Sequence, residues 1–203
     1  MLIGLTGMYC AGKNHVAGLL EARGLPVLDV DKLGHAAIDA EKEAIFSRFG
    51  DLRQADGTVD RSRLGKKVFG KPAELAALEG IVHPAANRLT DEWIAARRGQ
   101  SCVINAALLH RSSALEKLDC VLLVEAPFFT RLRRARLRDG LSWIALLRRF
   151  ASQRNFKAQY LAGKADIYRV ENPDFTWKGE SPAAALERRI DGILSGLNKK
   201  HGA

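Results

Sequence analysis

The sequence predicts an α/β fold, a three-layer domain built around about five parallel strands. Three observations lead there. Five short apolar runs, at 2–6, 26–30, 102–106, 120–124 and 167–170, are almost unbroken by polar residues, as strands buried on both faces of a parallel sheet must be. Helical periodicity fills the intervals between them, which calls for right-handed crossovers. A glycine-lysine loop directly follows the first run.

The chain of 203 residues, 47% of them hydrophobic, is long enough to bury a core and is about the size of one domain. No stretch of eighteen apolar residues is present, so no membrane span is expected, and the start Met1-Leu2-Ile3-Gly4 lacks the basic region of a signal peptide. Cys10, Cys102 and Cys120 show no metal-ligand spacing and cannot all pair; reduced thiols in a cytoplasmic protein are expected.

The first strand, 2–6, runs into Gly7-Met8-Tyr9-Cys10-Ala11-Gly12-Lys13, a G-x-x-x-x-G-K loop. Val16, Leu19 and Leu20 then share one face of a helix. Strand, loop and helix in this order form a phosphate cradle. Gly7 and Gly12 allow backbone angles that aim successive N–H groups at phosphate oxygens. The helix N-terminus adds unpaired N–H groups, and Lys13 adds a point charge. The site predicted is therefore ATP-binding, with Gly7, Met8, Tyr9, Cys10, Ala11, Gly12, Lys13, Asn14 and His15 around the phosphates, on a P-loop NTPase-type core. The usual motif continues with Ser or Thr, whose hydroxyl ligates Mg²⁺. Asn14 stands there instead, and its carbonyl oxygen is a hard neutral donor suited to the same ion. The substitution admits two readings, altered metal ligation or a nucleotide binder with weakened catalysis. His15 reads as a surface residue of the helix.

The second strand, 26–30, ends in Asp29 and Asp31. Strand periodicity sets both carboxylates on one side, and ligands of open α/β sheets lie beyond strand carboxyl ends. Asp31 is read as the base for an acceptor hydroxyl, with Asp29 in support; the plainer alternative makes Asp31 a helix cap.

Residues 33–98 carry helical patterns and no convincing strand, too long for one crossover, so a helical insert is expected. A second helical stretch, 131–162, holds nine basic residues between Arg131 and Lys157 against one acid, Asp139. With a net charge of +9, nucleic acid is a possible partner, yet no aromatic-interleaved stacking motif accompanies the charge. Within it Leu132, Ala135 and Leu137 pattern a helical segment, and Leu186, Ile190, Ile193, Leu194 and Leu197 form the stripe of a final helix.

Leu5-Thr6-Gly7, Gly12-Lys13 and Leu28-Asp29-Val30-Asp31 resemble the amino-terminal signature of dephospho-coenzyme A kinases, whose loop opens L-T-G-G, ends G-K-S-T, and whose second strand ends I-D-A-D. The resemblance continues through Asp56-Gly57, Arg61, Leu64, Val68-Phe69, His83-Pro84, Arg134, Arg138-Asp139, Gln153, Ala165-Asp166 and Asn172, an ordered set over about 170 residues. It implies ATP-dependent phosphorylation of the ribose 3′-hydroxyl of dephospho-coenzyme A. It also implies a nucleotide core at 1–32, 99–130 and 163–203, an acceptor-binding insert at 33–98 and a lid at 131–162. By the same resemblance Arg138, then Arg134, reach the transferred phosphate, His83 joins Asp29 and Asp31 at the acceptor, and Lys13, Asp31 and Arg138 are catalytic. ATP and Mg²⁺ are the implied cofactors; neither nucleic acid nor membrane is an expected partner, and oligomeric state is not legible.

The departures from that pattern are Met8 for the second loop glycine, Asn14-His15 for Ser-Thr, and Ala106-Ala107-Leu108-Leu109-His110 where the family has P-L-L-F-E. Two additional residues fall between Gln153 and Asp166. His83 reads equally as a histidine satisfied in the helical core. Cys10, beside phosphate-binding N–H groups, is expected to be exposed and to have a lowered pKa. Trp93, Trp143 and Trp177 read as packing residues. The rival functions are another small-molecule or nucleoside monophosphate kinase, a non-catalytic nucleotide binder and a basic RNA-binding protein.

Overall fold

The computed structural model describes residues 1–153, 165–175 and 179–201. Two compact units emerge, one of Met1–Leu28 with the chain from Gly99 onward, the other Asp29–Arg98. Trp177, Lys157, the end of the expected lid and the two additional residues before Asp166 lie outside the described residues.

The first unit is built on a five-stranded sheet in the order β2-β3-β1-β4-β5. Its strands are β1 (Leu2–Gly7), β2 (Val27–Asp29), β3 (Cys102–Asn105), β4 (Cys120–Glu125) and β5 (Asp166–Glu171). β1 sits at the centre, parallel to β3 with Leu5 opposite Asn105, and parallel to β4 with Gly7 opposite Val124. Every residue of β1 is buried, which is why its sequence shows no alternation. Gly4 leaves space there for two side-chain methyl groups: a Cβ would come within 2.6 Å of Leu118 Cδ1 and 2.7 Å of Leu109 Cδ2. The helices are α1 (Lys13–Glu21), α6 (Phe128–Asp139), α7 (Trp143–Ser152) and α8 (Pro182–His201). Ile3, Leu5, Val16, Leu20, Val103, Leu122, Val124, Val170, Leu186, Ile190 and Leu197 form one core. Each fully buried aliphatic side chain in it contributes about 1.5–3 kcal/mol. One sequence reading fails here: Trp143 is 55% exposed and is not a packing residue.

The second unit is helical, with α2 (Val30–Ala40), α3 (Lys42–Phe49), α4 (Arg61–Val68) and α5 (Pro72–Ala95). Its own core gathers Ile45, Phe49, Leu52, Val59, Leu64 and Val68, with Ile38, Leu78 and Ile81 packed against it. Asp60 caps α4 by accepting from the Arg63 N–H at 2.9 Å, and Pro72 starts α5 where a missing N–H costs nothing. Pro84 lies inside α5 and cannot donate to the carbonyl one turn back. Among the described residues, no helix is long and apolar enough to cross a membrane.

Candidate active site

The loop that follows β1 is shaped by its neighbours in the sheet. Met8 donates its N–H to the Val124 carbonyl at 3.2 Å, and Ala11 donates to the Met8 carbonyl at 2.9 Å, closing a turn over Tyr9 and Cys10. Cys10 (φ 58°) and Gly12 (φ 96°) both lie in the left-handed region. That is the backbone habit of an anion-binding concavity. Gly7 has no room for a side chain, since a Cβ would lie 3.0 Å from both the Cβ and the carbonyl oxygen of Val124. Gly12 is the N-cap of α1, and no side chain caps that helix, so its first N–H groups are offered to an anion.

The underside of the loop is tied down through one carbonyl. Ala11 O accepts from the side-chain amide of Asn172 at 2.9 Å and from the Arg134 guanidinium at 3.2 Å. Asn172 is itself fixed, donating its backbone N–H to Glu125 O at 2.8 Å. A cavity of about 420 Å³ opens beside these groups, lined by Gly12, His15, Arg134, Asn172, Pro173, Asp174, Pro182, Ala183 and Leu186. Its wall carries both charge and apolar surface, which suits a nucleoside phosphate.

α6 and α7 bring arginines to the same loop. Arg134 pairs with Asp174 at 2.8 Å, and Arg133 pairs with the same carboxylate at 2.9 Å. Burial pulls the Asp174 carboxyl upward, but the two guanidiniums outweigh it and hold it below the usual carboxylate range. Arg138 pairs with Asp139 at 2.7 Å, and its guanidinium lies 5.2 Å from the Tyr9 ring centroid. The bonds from Arg138 and Tyr9 hold the Asp139 carboxyl down at about 2, and Asp139 in turn pushes the Arg138 pKa up. Arg131 is almost completely buried, donating to Ala126 O at 3.1 Å with its guanidinium 4.9 Å from the Phe150 ring.

A family model described as dephospho-CoA kinase matches residues 1–169. The chain belongs to the dephospho-CoA kinase family. The dephospho-CoA kinase of Treponema pallidum is 35% identical over 205 residues, spanning 96% of this chain and 94% of that protein. A solved structure from Thermus thermophilus superposes with a TM-score of 0.76 at 32% identity, covering 97% of both chains. The dephospho-CoA kinase from Campylobacter jejuni shares the fold, with a TM-score of 0.71 at 22% identity and 98% coverage of each chain.

The positions where this family member departs from the motif have clear surroundings. Met8 is half-buried and packs against the main core. Asn14 is exposed in the first turn of α1, and its Oδ1 accepts from the Asn105 side-chain amide at 3.4 Å. Asn105, at the end of β3, is 2% exposed, and its own Oδ1 is buried without a hydrogen-bond partner. A buried acceptor with no donor among the described residues is costly, and a donor such as an ion-bound water beside Asn14 would satisfy it. His15 is exposed on the cavity wall. Among the described residues no cluster of three His, Cys, Asp or Glu side chains is set to hold a metal.

Four expectations are corrected. β2 ends at Asp29 and α2 begins at Val30, so strand periodicity does not relate Asp29 to Asp31. Asp29, not Asp31, is the helix cap, accepting from the N–H groups of Asp31 at 3.1 Å and Lys32 at 3.3 Å, and Asp31 sits in the first turn. His83 is exposed on α5 rather than satisfied in the helical core. Cys10 is half-buried, and burial pushes its thiol pKa up despite the lowering field of Arg138. The sequence reading assigns no role to Asn105 or Asp174, and it counts Arg149 only as one member of the basic run. It meets Asn172 only as a match to a family pattern and Asp139 as that and as the one acid of a basic stretch, because Ala11 and Tyr9, which they bind, lie 161 and 130 residues away.

Proposed function

We propose that this chain transfers the terminal phosphoryl group of ATP to the ribose 3′-hydroxyl of dephospho-coenzyme A, giving coenzyme A and ADP. The observation that carries the reading is the loop Gly7–Lys13, braced through Ala11 O by Asn172 and Arg134 and opening on the cavity beside Gly12. The loop N–H groups and the bare N-terminus of α1 hold the ATP phosphates, with Lys13 as the outer charge. The cavity takes the nucleoside, with Pro173, Pro182 and Leu186 against its apolar face.

The 3′-oxygen forms its bond to the terminal phosphorus as the bond from that phosphorus to the β–γ bridging oxygen breaks, and the hydroxyl proton passes to the Asp31 carboxylate. Asp29 holds Asp31 at the start of α2, and His83 contacts the acceptor. Arg138, still held by Asp139, and Arg134, exchanging its carboxylate partner Asp174 for phosphate oxygens, neutralise charge on the transferred group. The α6–α7 lid excludes the water that hydrolyses ATP. Asn14 Oδ1, with the buried Asn105 Oδ1 behind it, would hold Mg²⁺, and the ion would supply charge neutralisation at the outer phosphates.

Coupled measurement of ADP release tests the reading, with dephospho-coenzyme A compared against nucleoside monophosphates and shikimate. Turnover restricted to dephospho-coenzyme A is expected, and its absence overturns the assignment. Asn14 in place of Ser or Thr favours one second reading, a non-catalytic nucleotide binder. That reading prevails if ATP binds with Mg²⁺ present while neither the parent nor Asn14→Ser turns over.

A further inference from the structure

Tyr9, at the tip of the phosphate loop, is joined to α6 and α7 through both its hydroxyl and its ring. Its backbone N–H donates to Gln153 Oε1 at 2.7 Å, just beyond the end of α7. Its hydroxyl donates to Asp139 Oδ2 and accepts from Arg149 at 3.3 Å. Arg149 also reaches Asp139 at 3.3 Å, and Arg138 reaches the other oxygen of that carboxylate at 2.7 Å. The guanidiniums of Arg138 and Arg149 lie 5.2 and 5.7 Å from the Tyr9 ring centroid, and the Phe150 ring meets it edge-on at 5.4 Å.

Two guanidiniums gathered at one point repel each other unless something offsets their charge. Here two features do so. The Asp139 carboxylate accepts from both arginines and from the phenol, within the capacity of a carboxylate with about four acceptor sites. The electron-rich face of the ring attracts both cations. Burial and the adjacent carboxylate push the Tyr9 phenol pKa up, so the hydroxyl remains a donor at neutral pH. The aromatic and the acid thus fix two cations above a loop whose function is to hold phosphates.

We infer that Tyr9 is a positioning residue for phosphoryl transfer, its hydroxyl and ring holding Arg138 and Arg149, through Asp139, over the tip of the phosphate loop. This rests on the reading above in which Arg138 meets the transferred phosphate. Tyr9 acts through the arginines and touches no reacting atom. Losing it therefore lowers kcat and leaves the KM for dephospho-coenzyme A nearly unchanged, because the acceptor is held elsewhere.

The test is a double-mutant cycle in the full-length protein, with steady-state kinetics and a melting curve for each variant. Tyr9→Phe keeps the ring and removes the hydroxyl; it is expected to lower kcat about tenfold, as loss of a hydrogen bond to a charged group does. Tyr9→Ala, which also removes the ring, is expected to lower it further. Asp139→Asn keeps the shape of the acid and should match Tyr9→Phe, which secures the test if Tyr9→Ala fails to fold. Arg138→Ala probes the underlying reading alone, and in that background Tyr9→Phe should cost no more than about threefold. If Arg138→Ala loses activity while Tyr9→Phe stays within twofold of the parent, the positioning role is overturned and the lid-arginine reading survives. Additive losses from Arg138→Ala and Tyr9→Phe, or a loss confined to the KM for dephospho-coenzyme A, overturn it too. If Arg138→Ala retains full activity, the lid-arginine reading falls and the inference with it.

Discussion

Asn172 donates its side-chain amide to the Ala11 carbonyl at 2.9 Å across 161 residues of sequence, and a Cβ on Gly12 would collide with the same amide nitrogen. The phosphate loop and the segment after β5 are thereby locked as one piece. Glycine at position 12 serves two purposes at once. It adopts φ 96°, and it leaves the space that Asn172 occupies.

Gly12→Ala should therefore be costly twice over. A left-handed alanine costs about 1–2 kcal/mol, and displacing Asn172 sacrifices a hydrogen bond worth about 1 kcal/mol. ADP affinity by calorimetry should fall at least about tenfold, with a lowered melting temperature. Asn172→Ala removes the bond but not the backbone geometry, so its loss should be clearly smaller. Equal losses would show that the left-handed geometry at Gly12 contributes nothing.

The Asn14–Asn105 contact carries the next prediction. Asn105→Ala removes the donor that orients Asn14 and the buried oxygen behind it. Groups that orient a metal ligand are typically worth about tenfold or more in metal affinity. ADP affinity measured with and without Mg²⁺ should show the metal-dependent gain shrinking by about that factor, while binding without metal stays near the parent value. Mn²⁺ binding followed by electron paramagnetic resonance gives the same comparison without turnover. An unchanged gain would rule Asn105 out of the metal's surroundings.

What was legible in the sequence follows from the range of the interactions involved. β1, the loop and α1 were readable because strand burial, the two glycines and the apolar face of α1 are all local patterns. Asp31 misled because aspartate ends strands and begins helices alike; only the hydrogen bonds to Asp29 assign it to the helix. Trp143 reads as a packing residue because residue type does not reveal which helix face meets a neighbour; it is 55% exposed. Asn105 and Asp174 gave no local signal at all. Each matters only through a partner brought near by the sheet, Asn14 at 91 residues and Arg134 at 40.

Asp29 and Asp31 now separate cleanly. Since Asp29 is the cap, Asp29→Ala should cost about 1 kcal/mol of stability. Asp31→Asn leaves that cap in place, so a loss of activity cannot be assigned to fraying of α2. Turnover should drop at least about a hundredfold while ATP affinity is largely kept. Near-normal turnover of Asp31→Asn would remove the base assigned to the acceptor hydroxyl.

Cys10 offers a pH test of the loop's surroundings. Burial raises its thiol above the ordinary value of 9.0; Arg138 opposes that, and Asp139 adds to it. The thiolate is the reactive form, so iodoacetamide should label Cys10 more slowly than a free cysteine at pH 8, with the rate still climbing above pH 9. Cys102 and Cys120 are buried, the latter with its thiol pushed up to about 12, and should stay unlabelled while the protein is folded. Arg138→Ala removes a cation whose field lowers the Cys10 pKa, so in that variant the labelling should slow further at pH 8 rather than quicken. Labelling faster than free cysteine at pH 8 would mean that the arginines outweigh burial at the loop tip, reversing the sign of the shift.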